Sequence, residues 1–113
     1  AIFCATDDEA IGCLKALAEA RLRVPEQISV MGFDDKPFAP HLSTPLTTMH
    51  IHSLRMGRMA VRRLIHLIEE RSEHAGEALL KTLVPVSLVE RASVADASAT
   101  RMPPRRERLT SVT

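Results

Sequence analysis

Two short acidic runs carry most of the chemistry this sequence offers. Thr6-Asp7-Asp8-Glu9 closes the first apolar run, and Asp34-Asp35 closes the second, within "ISVMGFDDKP". An ionised carboxylate accepts hydrogen bonds and donates none, so it suits a ligand presenting hydroxyl or N–H groups, such as a sugar or a nucleoside. Paired acids can also hold magnesium through hard oxygen ligands.

Other reactive types are sparse. His50 and His52 lie two residues apart in an extended-type run and would share one face, half of a metal site at most. No cysteine or carboxylate nearby in sequence completes it, so they are assigned to the surface and no metal is expected. Cys4 and Cys13 match no zinc or redox spacing and read as buried free thiols. Met56 and Met59 read as packing residues. No Ser-His-Asp arrangement or glycine-rich phosphate loop is present. A receiver-like magnesium and phosphoacceptor site needs its lysine on a separate strand end, whereas Lys36 directly follows Asp35. No enzyme and no cofactor are expected.

The chain has 113 residues, enough for one small domain, and 45% of them are hydrophobic, enough for a packed core. The formal net charge of +1 argues against a nucleic-acid surface spanning the whole chain. No apolar run reaches the ~18 residues of a membrane span, and no signal peptide is visible. With two free thiols, this composition suits a reducing cytoplasm. Ala1 is not an initiator methionine and opens inside a strand-like run, so a preceding segment is expected.

Periodicity supplies the elements that position the acids. "AIFCA" (1–5) and "ISVMGF" (28–33) are continuous apolar runs, the pattern of strands covered on both faces. Between them, residues 7–22 carry Ala10, Leu14, Leu17 and Ala18 at helical spacing, with Pro25 as the stop. A third strand is expected over 46–51, a second helix over 53–72, a loop over 74–78, and within 79–92 a last strand broken at Pro85, at an edge or a crossover rather than a central position. Arg55, Arg58 and Arg62 are assigned to a solvated helix face. From Ser93 onward periodicity is lost, and a disordered tail over 93–113 is expected, including the basic stretch 101–108. Strands alternating with helices imply βαβ units, a parallel sheet and an α/β fold.

Parallel strands place both acidic runs on one rim, where open α/β sheets bind ligands. Asp7 is open to two readings, helix N-cap or ligand contact, while Asp8 and Glu9 suit the positive end of the helix. No helix directly follows Asp34, which is therefore assigned to ligand binding. Asp35 is assigned to the turn before Lys36-Pro37. Side chains alternate along an extended chain, so only one of the two neighbours should face the cleft.

These motifs together carry a resemblance. "RVPEQISVMGFDD", "PLTT", "SLRMGRMAVRRLI" and "LVPVSLVERAS", in that order, resemble the C-terminal part of a LacI/GalR-family transcriptional regulator over residues 1–93. The resemblance implies a partial type I periplasmic-binding-protein-like effector domain over residues 1–92. It implies Thr6, Asp34, Ile51 and Ser53 at effector-contacting positions, and Ile11, His41 and Leu42 at a homodimer interface. It also implies operator DNA contact only through an N-terminal helix-turn-helix domain lying outside this chain. Two departures stand out: Thr6 where the family usually has Asn, and Arg21 where it often has a helix-ending Gly. A periplasmic-type sugar-binding protein of a transporter shares the same lobes and is the alternative reading.

Overall fold

The computed structural model describes residues 1–69 and 81–98. Strand β1 (Ile2–Phe3) leads to helix α1 (Asp7–Glu19), strand β2 (Val30–Asp34), a 3-10 turn (Ala39–His41), strand β3 (Thr47–His50), helix α2 (Ser53–Glu69) and strand β4 (Ser87–Val89). The sheet order is β1-β2-β3-β4. β1, β2 and β3 run parallel, with Met31 beside Thr47 and Asp34 beside His50. β4 is an edge strand, as Pro85 implied, but it is antiparallel to β3, so the sheet is mixed. The expected loop 74–78 and the end of the second helix lie outside the described residues.

α1 starts where two side chains exchange caps. Thr6 Oγ1 accepts the Glu9 N–H at 3.2 Å, and Glu9 Oε2 accepts the Ala5 N–H at 3.0 Å. This capping-box logic satisfies amides that the helix itself leaves unpaired. The helix ends three residues before the expected position. Leu22 N–H bonds Leu17 O and Arg21 N–H bonds Ala18 O, a Schellman closure with Arg21 at φ 57°. The left-handed residue is retained although its side chain is not glycine's.

One face of the sheet packs against α1 and the returning loop. Cys4, Ala10, Leu17, Val30, Ala39 and Leu46 form the buried cluster, with Leu14, Leu22, Ile28 and Leu42 packed onto it. Ala18, expected inward, is exposed. Cys4 and Cys13 are free, and burial, then the neighbouring Cys13, pushes the Cys4 thiol up. The opposite face is open among the described residues: Phe3 is 62% exposed although its ring meets Phe33 edge-on. The expectation of strands covered on both faces therefore holds on one face only. α2 buries none of its side chains among the described residues.

Ser93 corrects the expected start of the tail. It is fully buried, its Oγ accepts Thr47 N–H at 2.8 Å and donates to Val30 O at 2.6 Å. Its carbonyl accepts Val30 N–H. Ser93 thus satisfies backbone groups at the starts of β2 and β3 with its short hydroxyl side chain and its carbonyl. The remainder of the expected tail, residues 99–113, lies outside the described residues.

Gly32 is required by crowding. A Cβ there would lie 2.3 Å from Asp7 Oδ1 and 2.9 Å from Leu46 Cδ2. Gly32→Ala should therefore lose about 2–3 kcal/mol of stability, read as a lower urea midpoint. Arg21→Gly should move the midpoint the other way, by about 1 kcal/mol, because glycine reaches φ 57° without a Cβ clash.

Candidate functional site

The carboxyl ends of β1, β2 and β3 form one rim, and a buried acid organises it. Asp7, the first residue of α1, is fully buried. Its Oδ1 accepts the Thr48 hydroxyl at 2.6 Å and its Oδ2 accepts the Lys36 N–H at 2.8 Å. A buried carboxylate is tolerable only with such partners, and the N-terminus of α1 adds favourable dipole. Of the two readings left open for Asp7, the N-cap one does not hold. Thr6 is the N-cap, and Asp7 fastens α1 to β3 and to the loop after β2. Lys36 Nζ also pairs with the exposed Asp8, which raises the lysine's pKa.

The adjacent acids Asp34 and Asp35 divide sharply. Both have positive φ, 119° and 57°, so the chain is no longer extended where they sit. Alternation along a strand is therefore not what separates them. Asp35 Oδ1 accepts from Arg91 Nη2 at 2.7 Å, and Asp35 Oδ2 meets His50 Nδ1 at 2.9 Å. Arg91 also donates through Nη1 to Leu46 O at 2.8 Å. Thus one carboxylate ties the ends of β2 and β3 to the segment after β4. Asp34, by contrast, is half-buried and has no hydrogen-bond or ion-pair partner among the described residues. At φ 119° an L-residue is strained, and such strain persists where the surroundings impose it.

The other expected site residues fall in identifiable places. Thr6 and Asp34 lie at neighbouring strand ends on the rim, with the Thr6 oxygen already accepting from α1. Ile51 and Ser53 follow β3 and line one cavity of about 640 Å³ together with His50, His52, Arg55, Arg58, Met59 and Arg62. Thr6 and Asp34 are not among its lining residues. Ile11 and His41 are exposed, whereas Leu42 packs against the core. His50 and His52 contact edge-on at 4.8 Å, and no cluster of three or more metal-ligating side chains occurs among the described residues. Arg91 escaped sequence reasoning, because its partner Asp35 is 56 residues away and no local spacing links them.

Asp35 has a consequence for pH. Burial alone would raise its pKa, but the Arg91 and His50 hydrogen bonds outweigh that and hold it below its ordinary 3.8. A carboxyl with a lowered folded pKa contributes stability that is complete above the unfolded value and is lost as pH falls through the folded one. Stability should therefore drop on acidification from about pH 4 downward. Arg91→Met should flatten that part of the profile and cost about 1.5–3 kcal/mol at neutral pH, measured by urea unfolding across pH.

Comparison with known proteins agrees with this architecture. Residues 1–94 match the family model of the periplasmic binding protein-like domain. The HTH-type transcriptional repressor PurR of Haemophilus influenzae (strain PittEE) is 44% identical over 73 residues, covering 65% of this chain and 22% of that protein. The ribose operon repressor of H. influenzae (strain ATCC 51907 / DSM 11121 / KW20 / Rd) is 36% identical over 74 residues, covering 66% of this chain and 22% of that protein. Among solved structures, the lac repressor dimer bound to operator and the anti-inducer ONPF superposes with a TM-score of 0.73 at 34% identity, over 83% of this chain and 31% of that one. The chain thus spans about a fifth of the length of these curated relatives. With its parallel strand-end rim and its matching family model, the chain belongs to the periplasmic binding protein-like domain family, and the relatives it resembles there are LacI-type repressors.

Proposed function

We propose that this chain is the ligand-sensing portion of a LacI-type regulator that works in the cytoplasm and performs no catalysis. A small effector, a sugar or nucleoside presenting hydroxyl or N–H donors, is held at the rim by Thr6, Asp34, Ile51 and Ser53. The observation that carries this reading is Asp34: a half-buried, strained acid at the end of the central parallel strand, near the charge of Lys36 but without a hydrogen bond or ion pair among the described residues, while its neighbour is doubly held. The relatives described above are repressors, which favours regulation over transport.

In the whole protein, a homodimer would form through the surface that includes Ile11, His41 and Leu42. Operator DNA would be bound by a segment outside this chain. Effector binding shifts the equilibrium between two arrangements of that dimer, and only affinity that differs between the two can drive the shift. Thr6 can accept from α1 and still donate its hydroxyl proton to a ligand, since a hydroxyl does both.

The test uses the full-length protein. Asp34→Asn should weaken effector binding by about 1.5–3 kcal/mol, roughly ten- to a hundredfold, by calorimetry. Unliganded operator binding should stay at the wild-type level. Equal effector affinities for wild type and Asp34→Asn would remove the ligand role.

A further inference from the structure

Packing brings together two thiols that no local spacing motif links. Cys4 follows β1 directly, and its N–H bonds Met31 O, continuing the ladder between β1 and β2. Cys13 lies in α1 with Ala10, Leu14 and Leu17, at the spacing of residues that share one helix face. That face packs on the sheet, and Cys4 and Cys13 belong to the same packed cluster. Their side chains meet there, with Cys13 as a hydrogen-bond partner of the Cys4 thiol. The two differ in access: Cys4 is 8% exposed, whereas Cys13 is half-buried and reaches solvent. Both are free, and neither belongs to a cluster of three or more metal-ligating side chains among the described residues. Adjacent thiols, one reachable and one shielded, suit a division of labour in which the first is oxidised and the second resolves it.

We propose that Cys4 and Cys13 are a reversible oxidation site, closed to an intramolecular disulfide by a small-molecule disulfide such as oxidised glutathione. The Cys13 thiolate attacks one sulfur of the reagent, forms a mixed disulfide and expels one thiolate. The Cys4 sulfur then gives up its proton, attacks the Cys13 sulfur and expels the second thiolate. The two expelled thiolates take up the protons that the two cysteines lost. Cys4 and Cys13 are thereby oxidised, the reagent is reduced to two thiols, and an excess of reduced thiol runs both steps backwards. Burial, then the neighbouring Cys13, raises the Cys4 pKa, which suits Cys4 to the second step rather than the first. The closed bond encloses residues 4–13 in one covalent loop. That loop contains the Thr6–Glu9 capping box and the buried Asp7, so oxidation fastens the start of α1 to β1. This site stands apart from the effector reading and does not rest on it.

The test uses the full-length protein, incubated with oxidised glutathione, blocked with N-ethylmaleimide in denaturant and digested for mass spectrometry. Neither Lys nor Arg stands between Ala1 and Leu14, so trypsin leaves both cysteines on one peptide ending at Lys15. In the oxidised protein that peptide should be lighter by two hydrogens and take up no maleimide. Cleavage at Asp7 or Asp8 should then leave two fragments joined until a reductant parts them. Amide exchange at Ala5 and Glu9 should slow roughly tenfold on oxidation. Cys4→Ser should hold glutathione on Cys13, and Cys13→Ser should hold none on Cys4. The wild-type readouts decide the matter even where a variant fails to fold. A wild-type peptide that still takes up two maleimides, or that keeps glutathione on Cys13 without closing, would overturn the site. So would a bond from Cys13 to a second copy of the chain. Unchanged exchange at Ala5 and Glu9 would overturn the fastening of α1.

Discussion

The rim depends on one buried carboxylate. Asp7 sits where α1 begins, and its two oxygens are spoken for by β3 and by the loop after β2. Removing a carboxylate from water is expensive, so its position is specified by the donors that await it. The demand propagates. Thr48 must present a hydroxyl, Lys36 must present its amide, and Gly32 must have no side chain because Asp7 occupies that space. Three parallel strand ends are thereby held in one register around a single acid.

A second clamp works from the other side. Asp35 gathers His50 and Arg91, and Arg91 in turn binds the carbonyl of Leu46. Ser93 closes the opposite ends of β2 and β3. Between the two clamps, Asp34 is held at φ 119° with no hydrogen bond or ion pair to its carboxylate among the described residues. Rigid neighbours thus impose a strained backbone on an acid at the strand-end rim.

Local pattern made much of this legible. Apolar runs separated by a helical period identified β1, α1, β2, β3 and α2, and the edge position of β4 followed from Pro85. What escaped was set by distance or by competition. Arg91 meets Asp35 across 56 residues, which no spacing rule reaches. Thr6 and Asp7 are both competent caps one residue apart; the Thr6–Glu9 spacing of a capping box was the available signal for choosing Thr6. Asp34 and Asp35 were told apart by an alternation argument that two consecutive positive φ angles invalidate, and the Arg91 and His50 contacts of Asp35 go beyond the turn role assigned to it. Strand β4's antiparallel direction was hidden because its connection from α2 carries no directional signature.

Asp7 builds the rim, whereas Asp34, under the proposed function, is held on it for a ligand at the expense of stability. Unfolding free energies of Asp7→Asn and Asp34→Gly, measured side by side in urea without ligand, test it most directly. Asp7→Asn should lose about 2–3 kcal/mol, because an amide N–H₂ would face either the Lys36 N–H or the Thr48 hydroxyl proton. Asp34→Gly should gain about 1 kcal/mol by releasing the φ 119° strain. Opposite signs are the predicted result. A loss in both variants would make Asp34 a structural acid like its neighbours and remove its strain as a cost held for a ligand.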